Sequence, residues 1–373
     1  MTLLILASSS RSLCNFRGPL IEAILARGHK VHACAPGLLA DRPTRDWLEG
    51  RGVICHDAPF ARTGLNPVSD LRALVHLTRL MRRVRPDVYL GYTIKPVIWG
   101  GLAARLARVP HRVALITGLG YAFTGQARGK RAVIQQIARR LYKLALRGAH
   151  RIVFQNHDDP ADMARHGILP RNVPVQVVNG SGIDLAAFPH RDMPDGPIQF
   201  LLIARLLGDK GLREYAAAAA ALVREWPGAG FHLVGGLDPN PDGISRDEVE
   251  EWVSAGHIIW HGPLEDVRAA LAACHVYVLP SYREGTPRTV LEAMATGRAI
   301  ITTDAPGCRE TVTDGQNGFL VPVRDSAALT RAMRRFLASP DLVSRMGAAS
   351  HVVAAQKYDV HKVNAAMLDA LRL

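Results

Sequence analysis

Two short stretches carry side chains whose types and order could handle a phosphorylated sugar. Glu284-Gly285-Thr286-Pro287-Arg288-Thr289-Val290-Leu291-Glu292 sets two carboxylates around what reads as the start of a helix. Thr286 is expected as its N-cap and Pro287 as its first residue, so this loop opens a helix at the carboxyl end of the apolar run 276–280, where α/β proteins bind ligands. A helix start offers unpaired amides and the positive end of a dipole, which suits a phosphate; Pro287 has no N–H, leaving Arg288 and Thr289 as donors. Glu284 can accept from sugar hydroxyls and Glu292 can reach a ribose. The plainer alternative is one acid ahead of a helix and one on its surface. The second stretch, Ala204-Arg205-Leu206-Leu207-Gly208-Asp209-Lys210-Gly211, follows the run 199–206 and places a guanidinium and an ammonium on one loop. Singly they are plain loop cations, but two fixed cations can clamp a diphosphate and stabilise it as it departs. With the glutamates they compose a diphosphate-sugar site.

The elements that must position these groups come in two series. Residues 3–7, 30–36, 88–92, 112–117 and 151–155 read as strands between amphipathic helices, and a second set follows at 199–206, 231–235, 257–260, 276–280, 299–303 and 319–321. Such alternation builds parallel α/β sheets, and a length of 373 residues suits two domains. Between the series, Asn179-Gly180-Ser181-Gly182-Ile183-Asp184, Pro189, Pro194 and Asp195-Gly196-Pro197 form a turn-rich linker. The expected domains are therefore 1–188 and 189–355, with a terminal helix over 356–373 whose Val360, Val363, Met367, Leu368 and Leu371 must dock on one lobe or bridge both.

Composition narrows the function classes. With 48% hydrophobic and 21% charged residues the chain can bury a core, and no run is long enough for a signal sequence or a membrane span. Five scattered cysteines give neither a disulfide framework nor a zinc motif, so a cytoplasmic setting is expected. The formal charge of +13 is lopsided: residues 1–185 hold 27 Lys and Arg against 11 Asp and Glu, the remainder 19 against 22. Helices expected over 70–84 (Leu71, Leu74, Val75, Leu77, Leu80 and Met81 beside Arg72, Arg79, Arg82 and Arg83) and 131–147 (Val133, Ile134, Ile137, Leu141 and Leu144 beside Arg131, Arg139, Arg140, Lys143 and Arg147) are basic and amphipathic. They can lie on anionic lipid or simply pack their apolar stripes inward. A nonenzymatic nucleic-acid binder is the rival from another class, but only 6% of residues are aromatic and none interleave with the cations, so no nucleic-acid partner is expected.

Other chemistries lack their motifs. Asp-x-Asp, His-Glu-x-x-His and a close Cys/His cluster are missing from the sequence, so no catalytic metal is expected. Ser8-Ser9-Ser10-Arg11-Ser12 stands where a dinucleotide-binding Gly-x-Gly-x-x-Gly would follow the first strand. His111, His150, His257 and His261 sit singly near strands and read as structural. Tyr92 and Lys95 lie at a strand end, where Lys95 is either an acceptor-phosphate ligand or a solvated lysine at a helix start.

Arg205 with Lys210-Gly211, Pro280-Ser281, Glu284-Gly285, Glu292-Ala293-Met294-Ala295 with Gly297, and Gly307 with Glu310 and Asn317-Gly318 resemble, in order and spacing, the retaining family-4 glycosyltransferases of GT-B fold. Asn15-Phe16-Arg17-Gly18-Pro19, the segment from Gly91 to Pro96 and the segment from Thr117 to Phe123 further resemble the bacterial subgroup that extends undecaprenyl-diphosphate-linked saccharides, N-acetylgalactosaminyltransferases among them. The resemblance implies an α/β fold of two Rossmann-like domains facing across a cleft, with the last helix crossing back to the first domain. It implies transfer of a hexosyl or N-acetylhexosaminyl unit from a nucleotide diphosphate sugar, a UDP-sugar first, with no cofactor and no dedicated protein base. Arg205 and Lys210 would bind the diphosphate, Glu292 the ribose, and Glu284 with the amides of Gly285 and Thr286 the transferred sugar. Gly262, Pro263 and Leu264 would lie against the base, and Gly18 would head the first helix near the donor. Asn15, Arg17, Tyr92, Lys95 and Thr117 would face the acceptor, a polyprenyl-diphosphate-linked saccharide at the inner face of the cytoplasmic membrane. Where many relatives carry a histidine near the donor sugar, this chain has Thr117-Gly118-Leu119-Gly120. A GT-B epimerase or sugar phosphorylase is the rival within enzymology.

Overall fold

The computed structural model describes residues 1–60, 67–119, 130–240 and 242–373. Within them the chain forms two compact units, Met1–Ser181 with His361–Leu373, and Gly182–Val360. The crossing at 181/182 lies inside the expected linker but ahead of the expected boundary at 188, because the residues that follow are already tied to the second unit. Ile183 and Val360 exchange backbone hydrogen bonds with their neighbours, Arg191 N–H donates to the carbonyl of Thr296, and the buried Arg298 donates to that of Asp192.

Among the described residues, the first unit holds a seven-stranded parallel sheet. Its strands are β1 (Thr2–Leu6), β2 (Lys30–Ala35), β3 (Ile54–Asp57), β4 (Val88–Tyr92), β5 (His111–Ile116), β6 (Arg151–Phe154) and β7 (Val175–Val177), in spatial order β3-β2-β1-β4-β5-β6-β7. The second unit's sheet has order β10-β9-β8-β11-β12-β13, from β8 (Gln199–Ile203), β9 (Gly230–Val234), β10 (Ile259–Trp260), β11 (Val276–Leu279), β12 (Ala299–Thr303) and β13 (Gly318–Val321). Both are doubly wound: strand order reverses between β1 and β4 and again between β8 and β11, the switch points at whose carboxyl ends open α/β sheets bind ligands. Central strands such as β4 and β12 are buried along their whole length, which is why they read as unbroken apolar runs. The sequence reading missed β3 and β7. Both are short edge strands of mixed polarity, with Ile54 and Val175 exposed, so they lack that signal.

Alternate residues of the first sheet sort its helices onto two faces. Leu3, Ile5, Val88, Leu90, Val113 and Leu115 pack beneath the helices Arg11–Ala26 and Val360–Leu371, the latter through Met367, Leu368, Ala370 and Leu371. The terminal helix therefore docks on the first unit, where His111 and Gln176 bond its carbonyls at Ala370 and Ala366. On the opposite face, Leu4, Leu6, Tyr89, Ala114 and Ile116 support the helices Pro67–Val84, Gly101–Leu106 and Lys130–Leu146. No described helix is long and apolar enough to cross a membrane. Of the expected features, Gly120 to Phe123 and the side chains of Arg131, Val133 and Ile134 lie outside the described residues.

Two imidazoles bridge β2 and β3. His32 Nδ1 and His56 Nε2 are 2.8 Å apart and the rings stack. Burial lowers both pKa values, His56 to about 4, with His32, Arg83 and His76 adding repulsion. The unfolded chain takes up the proton near pH 6.5 while the folded chain refuses it until about 4, so stability falls as pH drops through that window. His56→Gln should show a shallower loss of Tm between pH 6.5 and 4 than the unaltered chain; identical slopes in thermal melts would show that this pair does not contribute.

Candidate active site

The residues singled out in the second half of the sequence converge at the carboxyl edge of the second sheet, around the reversal between β8 and β11. Three loops are knitted there by backbone. The loop after β8 accepts at Asp209 O from Tyr282 N–H (2.8 Å) and from the Ser281 hydroxyl (3.2 Å), both on the loop after β11. Glu284 N–H donates to Pro306 O (3.0 Å) on the loop after β12. The approach is close enough to exclude side chains at two points. Gly211 (φ +72°) and Gly307 (φ +77°) both adopt left-handed conformations, and a Cβ on them would meet Pro280 O at 2.2 Å and Glu284 O at 2.3 Å.

Three of the ion pairs at this edge involve residues named from the sequence. Lys210 Nζ lies 2.6 Å from Glu284 Oε1, both side chains being more than 80% shielded from water, and the contact joins the β8 loop to the β11 loop. Burial alone would push the Lys210 ammonium down, but the charge and hydrogen bond of Glu284 more than reverse this and hold it above the usual lysine value. Arg205 Nη1 donates to Asp238 Oδ2 at 2.7 Å, Asp238 coming from the loop after β9. Arg288 Nε donates to Glu292 Oε1 at 2.9 Å within one helix; burial raises the Glu292 pKa, and Arg288 offsets part of that. The cations and carboxylates named from the sequence are thus brought together but not as free groups. Lys210 takes Glu284 and Arg288 takes Glu292, so a ligand must share or displace these contacts.

The helix Arg288–Ala295 begins one residue later than expected. Pro287, extended at ψ 108°, is the N-cap, and Thr286 does not cap it, its hydroxyl donating instead to Gly285 O. A proline cap has no N–H of its own to satisfy, but it also offers no side-chain acceptor to the first-turn amides. The first intrahelical donors are Val290 and Leu291, which leaves Arg288 and Thr289 as the two amides ahead of the ladder. Past β10, Gly262 is left-handed and its carbonyl accepts from Gly235 N–H at 2.9 Å, Pro263 lies beside Gly236, and Leu264 is exposed. These residues line the same edge, beyond Asp238.

In the first unit the expected residues gather at the β1/β4 reversal, with two corrections. Gly18 does not head its helix. That helix starts at Arg11, and Gly18 sits two turns in, buried where a Cβ would lie 3.1 Å from the Trp47 ring. Lys95 is neither solvated nor free: its Nζ lies 3.1 Å from Asp70 Oδ1, with both side chains buried. Arg17, also buried, stacks over the Tyr92 ring at 5.1 Å, and the Tyr92 hydroxyl lies 2.8 Å from Ser12 Oγ. Burial pushes the Tyr92 hydroxyl up to about 12. Asn15 is exposed on the first turns of the helix, and Thr117 directly follows β5. The sequence reading missed Asp70, Asp238 and Thr93. Thr93 is β-branched yet left-handed (φ 69°) and donates to Ser8 Oγ at 2.9 Å, a strained geometry of the kind found at functional sites. Only Asp238 left a trace beforehand, in the turn-forming string Asp238-Pro239-Asn240-Pro241-Asp242-Gly243.

Known proteins share this architecture. Residues 197–339 match the model of group 1 glycosyl transferases and residues 3–156 that of the glycosyl transferase 4-like family. The chain is 30% identical over 346 residues, covering 89% of it and 88% of the relative, to N,N'-diacetylbacillosaminyl-diphospho-undecaprenol alpha-1,3-N-acetylgalactosaminyltransferase from Campylobacter jejuni. In fold it is similar to sucrose-phosphate synthase from Thermosynechococcus elongatus (TM-score 0.81, 19% identity, 100% of this chain and 98% of that one). It is similar also to Anabaena HepE solved in complex with UDP (TM-score 0.79, 19% identity, 100% of both chains). Two doubly wound sheets, the motifs at the edge of the second and a relative matched along nearly the whole length place the chain in the GT-B glycosyltransferases, as an enzyme that transfers a sugar.

Proposed function

We propose that the enzyme moves a hexosyl or N-acetylhexosaminyl unit from a UDP-sugar to a polyprenyl-diphosphate-linked saccharide, with retention of anomeric configuration and without a catalytic metal. The observation that carries this reading is the meeting of Arg205, Lys210, Glu284 and the opening of the helix Arg288–Ala295 at one switch point. The similarity to a transferase whose named acceptor is diphospho-undecaprenol-linked supports the acceptor class. In the transfer, the bond from the anomeric carbon to the diphosphate oxygen breaks and a bond to the acceptor hydroxyl oxygen forms on the same face. The acceptor proton passes to the departing phosphate. Charge grows on the diphosphate as the sugar becomes oxocarbenium-like, and Arg205, Lys210 and the amides of Arg288 and Thr289 oppose it. Glu284, with the amides of Gly285 and Thr286, holds the sugar; Glu292 holds the ribose; and Gly262, Pro263 and Leu264 flank the base. Asn15, Arg17, Tyr92 and Thr117 face the acceptor side, and Lys95 supports it through Asp70.

The same reading places the enzyme at the inner face of the cytoplasmic membrane. The first unit carries 29 Lys and Arg against 11 Asp and Glu, a formal +18, and the second 17 against 22, or −5. The basic helices do pack inward, through Leu77, Leu80 and Met81 and through Tyr142 and Leu146, but they also turn apolar groups outward. Val68, Leu71 and Val75 are exposed on the helix Pro67–Val84, which also carries Arg72 and Arg79, and Ile137 and Leu144 on the helix Lys130–Leu146 beside Arg140 and Arg147. Apolar side chains among cations suit an anionic lipid surface, where each cation contributes about 1 kcal/mol.

With donor saturating, Arg205→Ala should lower turnover on the order of 100-fold or more, measured as UDP released in the presence of acceptor. Unchanged turnover would refute the electrostatic role, and equal UDP release without acceptor would favour the epimerase alternative. Flotation with anionic liposomes should bring the chain up at low salt and less of it at high salt, and Leu71→Asp with Val75→Asp should weaken it further. Equal binding to neutral vesicles, or none, would remove the membrane from the scheme.

A further inference from the structure

Arg205 is more than half exposed, which for a long flexible cation ordinarily means many rotamers and a poor electrostatic catalyst. Here it is held. Asp238 Oδ2 takes Arg205 Nη1 at 2.7 Å, while Asp238 itself is largely shielded and its other oxygen, Oδ1, accepts from Asn240 N–H at 3.0 Å. The carboxylate is thus fixed before it meets the guanidinium. Its loop is in turn zipped to the one that carries Arg205 and Lys210. Leu206 N–H donates to Gly236 O, Ile244 N–H to Leu206 O and Gly208 N–H to Asp242 O, and Asp209 N–H donates to Asp242 Oδ2 at 3.1 Å. Pro239, next to Asp238, stiffens the start of the connecting string.

From this geometry we propose that Asp238 is a positioning residue for the transfer reaction: it fixes one edge of the Arg205 guanidinium so that the remaining N–H groups face the donor diphosphate. A guanidinium has five donors in a rigid fork, so one N–H can be spent on Asp238 while the others stay available for phosphate oxygens. The arrangement repeats on the other side of the switch point, where Glu284 holds Lys210. Asp238 lies 33 residues from Arg205 and on a different loop, so each side chain depends on the other loop's placement. The inference rests on the reading of Arg205 as a diphosphate ligand.

The test is a double-substitution cycle on the full chain, with kcat and KM for the UDP-sugar measured for Asp238→Ala, Arg205→Ala and the pair, and Tm followed throughout. Asp238→Ala should lower donor kcat/KM about tenfold when Arg205 is present and less than about twofold when it is absent, since interacting groups are not additive. Asp238→Asn, which keeps one oxygen acceptor, for the Asn240 amide or for Arg205 but not for both, should restore part of the loss. An equal loss in both backgrounds would make Asp238 a support of the loop alone, and a gain in donor affinity on its removal would make it a competitor of the diphosphate; either result overturns the proposal. Should Arg205→Ala by itself leave donor kinetics unchanged, the underlying assignment of Arg205 fails instead.

Discussion

A lysine ammonium against a glutamate carboxylate, 2.6 Å apart and mostly out of water, is the contact on which the second unit's ligand edge depends. It spans the place where a doubly wound sheet leaves its loops parted, linking the chain that follows β8 to the chain that follows β11. Charges this shielded are costly to hold unpaired, so neither side chain leaves its place without a replacement partner. A phosphate oxygen can replace Glu284 at Lys210, and a sugar hydroxyl can occupy the carboxylate released. The enzyme keeps these charged groups in position by pairing them with one another, and under the proposed function the substrate would meet an arrangement already formed.

The same economy runs through the first unit at its own reversal. Arg17 is laid over Tyr92, Tyr92 is tied to Ser12, and Lys95 is buried against Asp70. None of these groups is spread at random over a basic surface. Exposed cations lie on both faces of the sheet: Arg72, Arg79, Arg82 and Arg83 on the helix Pro67–Val84, and Arg11 and Lys362 on the helices of the opposite face. The first unit as a whole carries a formal charge of +18 and the second −5.

Much of this was legible in the residues alone. Central strands buried on both faces announce themselves as apolar runs, and the order in which loops follow strands located Arg205, Lys210, Glu284 and Glu292 at one edge. What spacing does not reveal is pairing. Asp238 reaches Arg205 from another loop, and Asp70 reaches Lys95 across 25 residues, and neither separation has a signature in a single sequence. Local conformation also differs from expectation where two solutions compete: Thr286 is a good cap by type, yet Pro287 takes that position, and Gly18 is expected to head its helix but sits two turns in, packed against a tryptophan ring. Short edge strands escaped notice because no residue of either is fully buried.

The most direct measurement is a crystal structure of the whole chain with UDP. Diphosphate oxygens within hydrogen-bond reach of Arg205 and Lys210, with the first turn of the helix Arg288–Ala295 pointing at them and Arg205 still touching Asp238, is the expected outcome. UDP bound elsewhere, with Arg205 and Lys210 contacting only Asp238 and Glu284, would contradict it.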